Sequence, residues 1–527
     1  MKENHRHYLF GFIFFVCYLL LQLFLMKDYG FSWDYHYHYY AGRYHLGLPV
    51  PKMNDPAPVP FSSPDPRLTT EDPFGPYTQI VPALSSYIFY EKLNILPYDA
   101  AYNLPSVVIG SLGIFLIFVI ATDVWNKKAG WISAIFLALL PNYFGYLHIN
   151  MKDIPNAFFF SLSLYLFYKL TQKQTVRRLI WAAISFAVAF NTKINSIFIP
   201  VICVVYFLLS HLQKIGEMRG ILGIWEKNKK VILYFVLAPL VAFLLWLPFW
   251  KNPISKLAEI PRFYSNNTYR MPVLFFGKVY HSGVNIPFGY PFIYIAITTP
   301  PVILIGFLIG LMVLVKSVIK GEKRVESLFL IVWFFLPLIR YFSPTAGAID
   351  GVRHFMEVVY PLSCIAGIGV ESAISYLSVL GNLKKLGIIG LILICLFVPI
   401  IHYHPYETSY FNFLIGGVRG ASLQFDIDFW GTPQKEAMEW LNKNAAPNSK
   451  VHIVMAQSSA AVYLRSDMLT YANTLPFGQS DYVVLLNRES FFSLYGINSF
   501  KDKKIKDNKV VFKKEIDGIP LVWIFKK

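Results

Sequence analysis

Long apolar runs alternate with short polar stretches from residue 8 to residue 403. The runs fall at about 8–26, 101–122, 131–148, 156–170, 179–198, 197–212, 231–250, 300–316, 328–343, 358–380 and 386–403. Most approach the roughly 20 residues that carry a helix across a bilayer. The pattern therefore predicts a polytopic α-helical membrane protein with about 11 transmembrane helices. The fifth and sixth runs abut, so Asn191–Thr192–Lys193 must serve as a short turn between them. The first run follows MKENHRH and at first reading resembles a signal sequence. It is longer than a usual signal core and has no small-residue cleavage site before Lys27, so a retained span is expected.

After residue 403 the pattern changes. PQKEAMEWLNKNA (433–445) has helical periodicity, and KVHIVM, DYVVLL and PLVWIF read as short strands. This predicts two regions, a helical membrane body over 1–403 and a small C-terminal α/β domain over 404–527. Within the body, 27–100 and 251–299 are the long connecting segments.

Composition sharpens the class. The chain is 55% hydrophobic and only 15% charged, where soluble domains carry roughly 25% charged residues. Mean hydropathy is +0.45. The net charge of +17 would raise nucleic acid binding in a soluble protein. Here the lysines and arginines concentrate in every second loop, as the positive-inside rule requires, and nucleic acid is not an expected partner. Placing those loops inside puts the N-terminus in the cytoplasm of a cell with this chain in its inner membrane. An odd number of spans then puts the C-terminal domain outside, together with 27–100 and 251–299. Cys17, Cys203, Cys364 and Cys395 all lie within apolar runs. They predict buried free thiols, with neither a disulfide framework nor a zinc pattern.

Ionisable residues beside membrane spans are costly, so each is a candidate for function. In GFSWDYHYHYYAGRYHLG (30–47), Asp34, His38 and His45 fall on one face of a helix, at offsets of 4 and 7 residues, while His36 points elsewhere. Such a stripe could hold a zinc ion, but its aromatic density suits a helix resting among lipid head groups. In LHINMKDIPNA (147–157), His148, Asn150, Lys152 and Asp153 gather at an outer mouth. The plain reading is a loop, with Pro155 in the first helical turn and Asp153 serving the helix dipole. Lys152 runs against the positive-inside bias. NTKINS (191–196) puts Lys193 at another outer turn, as anion binder or as a snorkelling lysine. Arg340 ends one span, and Asp350, Arg353 and His354 precede the next. An arginine fork suits phosphate oxygens. Glu71 and Asp72 lie in TTEDPFGPYTQIVPAL (69–84), where a solvated loop is the plain alternative.

Six stretches together carry a resemblance: HINMKDIPNAFFFSLSLYLF (148–167), FNTKINSIFIP (190–200), FGYPFIYIAITTPPVILIG (288–306), DGVRHFMEVVYPL (350–362), HPYETSYFNFLIGG (404–417) and FDIDFWG (425–431). With an aspartate just after the first span, their order resembles the GT-C superfamily of polyprenyl-phosphate-dependent glycosyltransferases. The closest resemblance is to glycosyltransferase family 39 and its bacterial relatives, which include protein O-mannosyltransferases and the aminoarabinose transferase of lipid A, and within them to an uncharacterised bacterial branch. The resemblance implies a GT-C fold and Asp34 as catalytic base. Family members often have an acidic pair there, whereas this chain has Asp34–Tyr35, so a second acid would come from Glu71, Asp72 or Asp153. Lys152, Lys193, Arg340, Arg353 and His354 become candidates for the donor phosphate, and His38, His45 and His148 for acceptor or metal contact. The implied partners are a polyprenyl-phosphate-linked sugar, membrane lipid and an acceptor protein, lipid or glycan. A divalent cation stays open as cofactor. Residues beyond 445 match nothing in the family. The competing class is a transporter or flippase for a lipid-linked sugar, although no inverted repeat supports it.

Overall fold

The apolar runs lie mostly on helix in the computed structural model, which describes residues 2–49, 75–211, 227–246, 250, 252–266, 269–376, 381–468, 479–497 and 509–527. The chain begins with α1 (Lys2–Leu25) and α2 (Tyr35–His45). Then come α3 (Pro76–Ser86), α4 (Tyr98–Val124), α5 (Lys127–Ala138) and α6 (Pro141–Ile149). The body continues through α7 (Asp153–Gln172), α8 (Val176–Thr192), α9 (Phe198–His211) and α10 (Lys229–Leu245). After α11 (Pro253–Asn266) and a hairpin of β1 (Pro272–Phe275) and β2 (Lys278–His281) come α12 (Tyr290–Thr298) and α13 (Pro301–Lys320). It closes with α14 (Arg324–Phe335), α15 (Val359–Tyr376) and α16 (Asn382–Tyr403).

Among the described residues seven helices are long and apolar enough to cross a membrane, or eight if the bent pair α5–α6 forms one span. That pair turns by 60°, at Leu139–Leu140 just ahead of Pro141. Proline has no N–H to continue a helix and fits its first position. The chain is thus a multi-pass membrane protein. Length and composition do not support the full count of eleven, because α7, α8 and α10 fall outside this group. The outward side chains of α16, including Leu391, Ile394 and Ile401, are exposed, as a lipid-facing surface requires. Cys17 and Cys395 are exposed on such surfaces, which corrects the expectation of four buried thiols, while Cys203 and Cys364 are buried.

Where helices cross closely, glycine permits it. Gly306 and Gly310 of α13 face α15, and a Cβ on Gly310 would collide with the carbonyl oxygen of Ile365. A Cβ on Gly369 of α15 would likewise strike the Gly306 carbonyl. Small residues four apart let membrane helices approach to backbone contact.

The helix after the first span, whose aromatic content suggested a place among head groups, is largely buried against protein. It seats on α3, and Phe31, Tyr35, Tyr39, Ala83, Tyr102 and Met151 form a closed cluster. Gly42 allows this seat, because a Cβ there would strike the Gln79 carbonyl. Aromatic side chains bury as favourably against protein as at a lipid boundary, and the sequence pattern alone does not separate the two.

The tail contains α17 (Gln434–Asn444) and a four-stranded sheet in the order β3–β4–β6–β5, with β3 Val451–Val454, β4 Tyr482–Leu486, β5 Lys509–Ile516 and β6 Ile519–Lys526. Strands β3 and β4 run parallel and the other pairs antiparallel. Separate apolar cores pack on its two faces, while residues up to Trp430 belong to the core of the helical body. Lys435 ties the two parts together. Its ammonium reaches Asp99 at 2.9 Å and the carbonyls of Lys27 and Tyr29 at 2.8 and 2.9 Å. Tyr463 adds bonds to Asp99 and to the Phe31 amide, both at 2.9 Å.

Gly310→Ala is expected to destabilise the protein by about 1–3 kcal/mol through overpacking. Thermal unfolding of the detergent-purified chain measures it, and an unchanged midpoint would mean that α13 and α15 have room to separate.

Candidate active site

The loop between α6 and α7 is shaped by Asn150. Its side-chain oxygen accepts from the amides of Lys152 (3.2 Å) and Asp153 (2.7 Å), and its amide donates to Asp153 Oδ2 at 2.9 Å. This is the local turn chemistry that asparagine favours before a helix. It places Asp153 in the first turn of α7 and turns Lys152 toward α2.

Asp153 is fully buried and multiply held. Lys193, at the C-terminal end of α8, lies 2.6 Å from Oδ1, and Arg353 lies 3.3 Å from Oδ2. Burial alone would raise its carboxyl, but Lys193, Arg353 and Lys152 together hold it well below the usual carboxylate range.

Arg353 belongs to a tight helical segment, Gly351–Val358. Asp350 just before it has a left-handed backbone, as does Gly351. That turn folds the Asp350 carboxylate back onto Arg353, with Nε 2.8 Å away. The Arg353 guanidinium lies 4.5 Å from the centroid of the Trp430 ring. Next to it, Arg340 donates to the His354 carbonyl at 2.5 Å and to Glu357 at 3.1 Å. Arg488 from the tail pairs with the free oxygen of Asp350 at 2.5 Å.

Asp34 stands at the start of α2, and Lys152 is 3.3 Å from it. About a third of its side chain (32%) is solvent-accessible, against none for Asp153. Asp34 thus sits crowded by protein but open on one side. Burial would raise its carboxyl, yet Lys152 and then Arg353 outweigh this and hold it below the usual range. His38 is buried beside it, and burial followed by the Lys152 charge lowers its pKa to about 3. Its imidazole is neutral at physiological pH.

The structure therefore brings together Asp34, His38, Lys152, Asp153, Lys193, Arg340 and Arg353, with His354 contributing its carbonyl. It does not bring in His148, whose two ring nitrogens face the carbonyls of Phe144 (3.0 Å) and Gln22 (3.3 Å) and whose ring stacks on Tyr29. His45 turns to Gln79 at 3.1 Å. Glu71 and Asp72 lie outside the described residues. His36, set aside on helical phase, is also buried. Four participants were not singled out from the sequence as partners of this cluster: Glu357, Trp430, Arg488 and, as the acid shared between two arginines, Asp350. FDIDFWG was the available signal for Trp430, and the spacing DGVR for the Asp350–Arg353 pair. Nothing in the sequence marks Arg488.

Among the described residues no group of three or more His, Cys, Asp and Glu side chains is placed to hold a metal ion. The neighbour of Asp34 is a lysine, and the oxygens of Asp153 are already taken by cations. These residues do not form a site for the divalent cation left open by the sequence.

Residues 97–246 match the family model for dolichyl-phosphate-mannose-protein mannosyltransferase. No curated protein matches the chain in sequence. Among solved structures the chain is similar to ArnT from Cupriavidus metallidurans bound to undecaprenyl phosphate, with 13% identity over 97% of both chains and a TM-score of 0.52. The apo form of the same protein gives a TM-score of 0.53 at the same identity and coverage. The apo oligosaccharyltransferase of Archaeoglobus fulgidus covers 90% of this chain and 69% of its own at 12% identity and a TM-score of 0.49, too slight a likeness to bear on the fold. The chain has the GT-C fold that its resemblance implied.

Asp153→Asn is expected to cost about 3–5 kcal/mol, because it leaves Lys193 and Arg353 facing each other in a buried place. Accumulation in membranes and the thermal midpoint report it. A variant as stable as the parent but inactive would instead make Asp153 a chemical participant. The sign with pH follows from both lowered carboxyls. The stability they contribute is present above the ordinary carboxylate range and is lost as pH falls through their lowered values. Acid should loosen the site only below about pH 4.

Proposed function

We propose that this chain is an inverting glycosyltransferase, moving a sugar from a polyprenyl-phosphate donor to an acceptor hydroxyl on the outer face of the cell's inner membrane. One observation carries the reading. Lys152, Lys193, Arg340 and Arg353 gather around the carboxylates Asp34, Asp153, Asp350 and Glu357. Such a gathering of cations beside a partly solvent-accessible carboxylate suits an anionic ligand. A sugar joined to a lipid through a phosphodiester carries one negative charge and is such a ligand. The fold shared with ArnT, which binds undecaprenyl phosphate, and the match over 97–246 support the same reading.

In the proposed reaction Asp34 accepts the proton of the acceptor hydroxyl. The acceptor oxygen bonds to the anomeric carbon from one side as the bond to the phosphate oxygen breaks on the other. The phosphate leaves with the lipid. It needs cations to hold its developing charge, which Lys152, Lys193, Arg340 and Arg353 supply. His354 and His38 line the site. A single displacement inverts the anomeric centre. The clustering of polar groups beside span ends favours transfer over transport of the lipid-linked sugar. With Asp34 outside, the N-terminus lies in the cytoplasm and the tail domain faces the acceptor.

In membranes given a radiolabelled polyprenyl-phosphate sugar, Asp34→Asn should lower transfer by roughly 10²–10⁴-fold and still bind the lipid phosphate. Transfer at the parental rate would remove Asp34 from the chemistry. Arg353→Ala should chiefly raise the KM for donor, and a silent variant would place the phosphate elsewhere. Lys152→Met removes the nearest charge opposing burial, so the Asp34 carboxyl rises. The acid limb of the pH–rate profile should move to higher pH, and an unmoved limb would show that Asp34 is not the titrating base.

A further inference from the structure

Arg488 lies just beyond β4, outside the stretches that carry the sequence resemblance, and is buried against the membrane body. One guanidinium nitrogen pairs with Asp350 Oδ1 at 2.5 Å, and another donates to the Phe429 carbonyl at 2.9 Å. Its plane rests 3.6 Å from the centroid of Phe491 and 5.3 Å from that of Trp33. Each contact leads to the site. Asp350 uses its other oxygen to hold Arg353, which holds Asp153. Trp33 is the residue before Asp34. Its amide bonds the Trp430 carbonyl at 3.0 Å, and its ring packs into the tail's core.

We infer that Arg488 is a positioning residue, through which the tail domain fixes Arg353 by way of Asp350 and Asp34 by way of Trp33. This rests on the sugar-transfer reading above. The inference has two supports. The tail is already fastened by Lys435 and Tyr463 on Asp99, so Arg488 is not needed as a strut. A buried arginine is also a costly choice where an apolar side chain would pack. The fork does what a point charge cannot, holding a carboxylate and a carbonyl while it stacks on two rings. Without it, Asp350 has Arg353 as its sole arginine partner and binds it more tightly, drawing that cation away from a phosphate.

The test uses the full chain purified in detergent, with Arg488→Met, Arg488→Lys, Asp350→Asn and the Asp350→Asn/Arg488→Met double variant. Thermal midpoint, undecaprenyl phosphate binding, and kcat and KM for transfer are measured on each. Arg488→Met should lose roughly 10- to 100-fold in kcat/KM, the scale of a slightly misplaced reacting group, and Arg488→Lys should recover only part of it. The double variant should be no worse than the weaker single. A normal kcat/KM in Arg488→Met, or single losses that multiply in the double, overturns the inference. If Arg488→Met does not accumulate, Arg488→Lys decides, because a wild-type kcat/KM there means the fork is not needed. A parent chain that neither binds the lipid phosphate nor transfers sugar overturns the function reading and this inference with it. A parent that transfers, with Arg488→Met its equal, overturns the inference alone.

Discussion

A carboxylate with no exposure to water cannot stay charged beside lipid unless cations close on it. Asp153 is that carboxylate, and the site is organised by its need. Lys193 reaches it from the end of α8 and Arg353 from the turn before α15. Each partner is itself a costly charge at a span boundary, so none of the three segments can drift without leaving another unpaired. Asn150 fixes the start of α7 so that Asp153 meets both. The neighbouring residue, Lys152, is then carried to Asp34, and the first span is drawn into the same network. Helices far apart in sequence are registered by one buried acid.

The network is graded in accessibility. Asp153 and Glu357 are sealed, Asp350 is shared between two arginines, and only Asp34 faces an opening. Structural and chemical duties can divide along that gradient. Asp153, sealed and paired through both oxygens, cannot lose its charge without leaving buried cations unpaired. Asp34 has one lysine partner and partial solvent access, so its charge can change during a reaction at less cost to the fold.

Much of this was legible in the sequence, for a reason tied to the solvent. Hydrocarbon admits only helices and closed barrels, so the apolar runs marked the helices, and the short apolar, β-branched runs near the C-terminus marked β3, β4 and β6. Ionisable residues beside those runs stood out because lipid makes them costly, which is how Lys152, Asp153, Lys193, Arg340 and Arg353 were found. Two readings turned on packing that the sequence does not show. His148 and the helix after the first span are polar or amphipathic, and both could face lipid, ligand or protein. Only the tertiary packing of Tyr29 on His148, and of α3 under Gly42, decides. Arg488 and Glu357 are ordinary charges until distant segments meet them.

Asp34 poses one more question, because a carboxyl held below its usual range is a weak base. Its depression comes from Lys152 and Arg353, the same cations that the proposed reaction assigns to the donor phosphate. A phosphate entering among them would compete for their charge. As they turn to it, the opposition to burial falls and Asp34 becomes more basic. The site would then hold a weak base while empty and a stronger one when loaded, without any conformational switch. One shared pair of cations would join donor binding to proton removal.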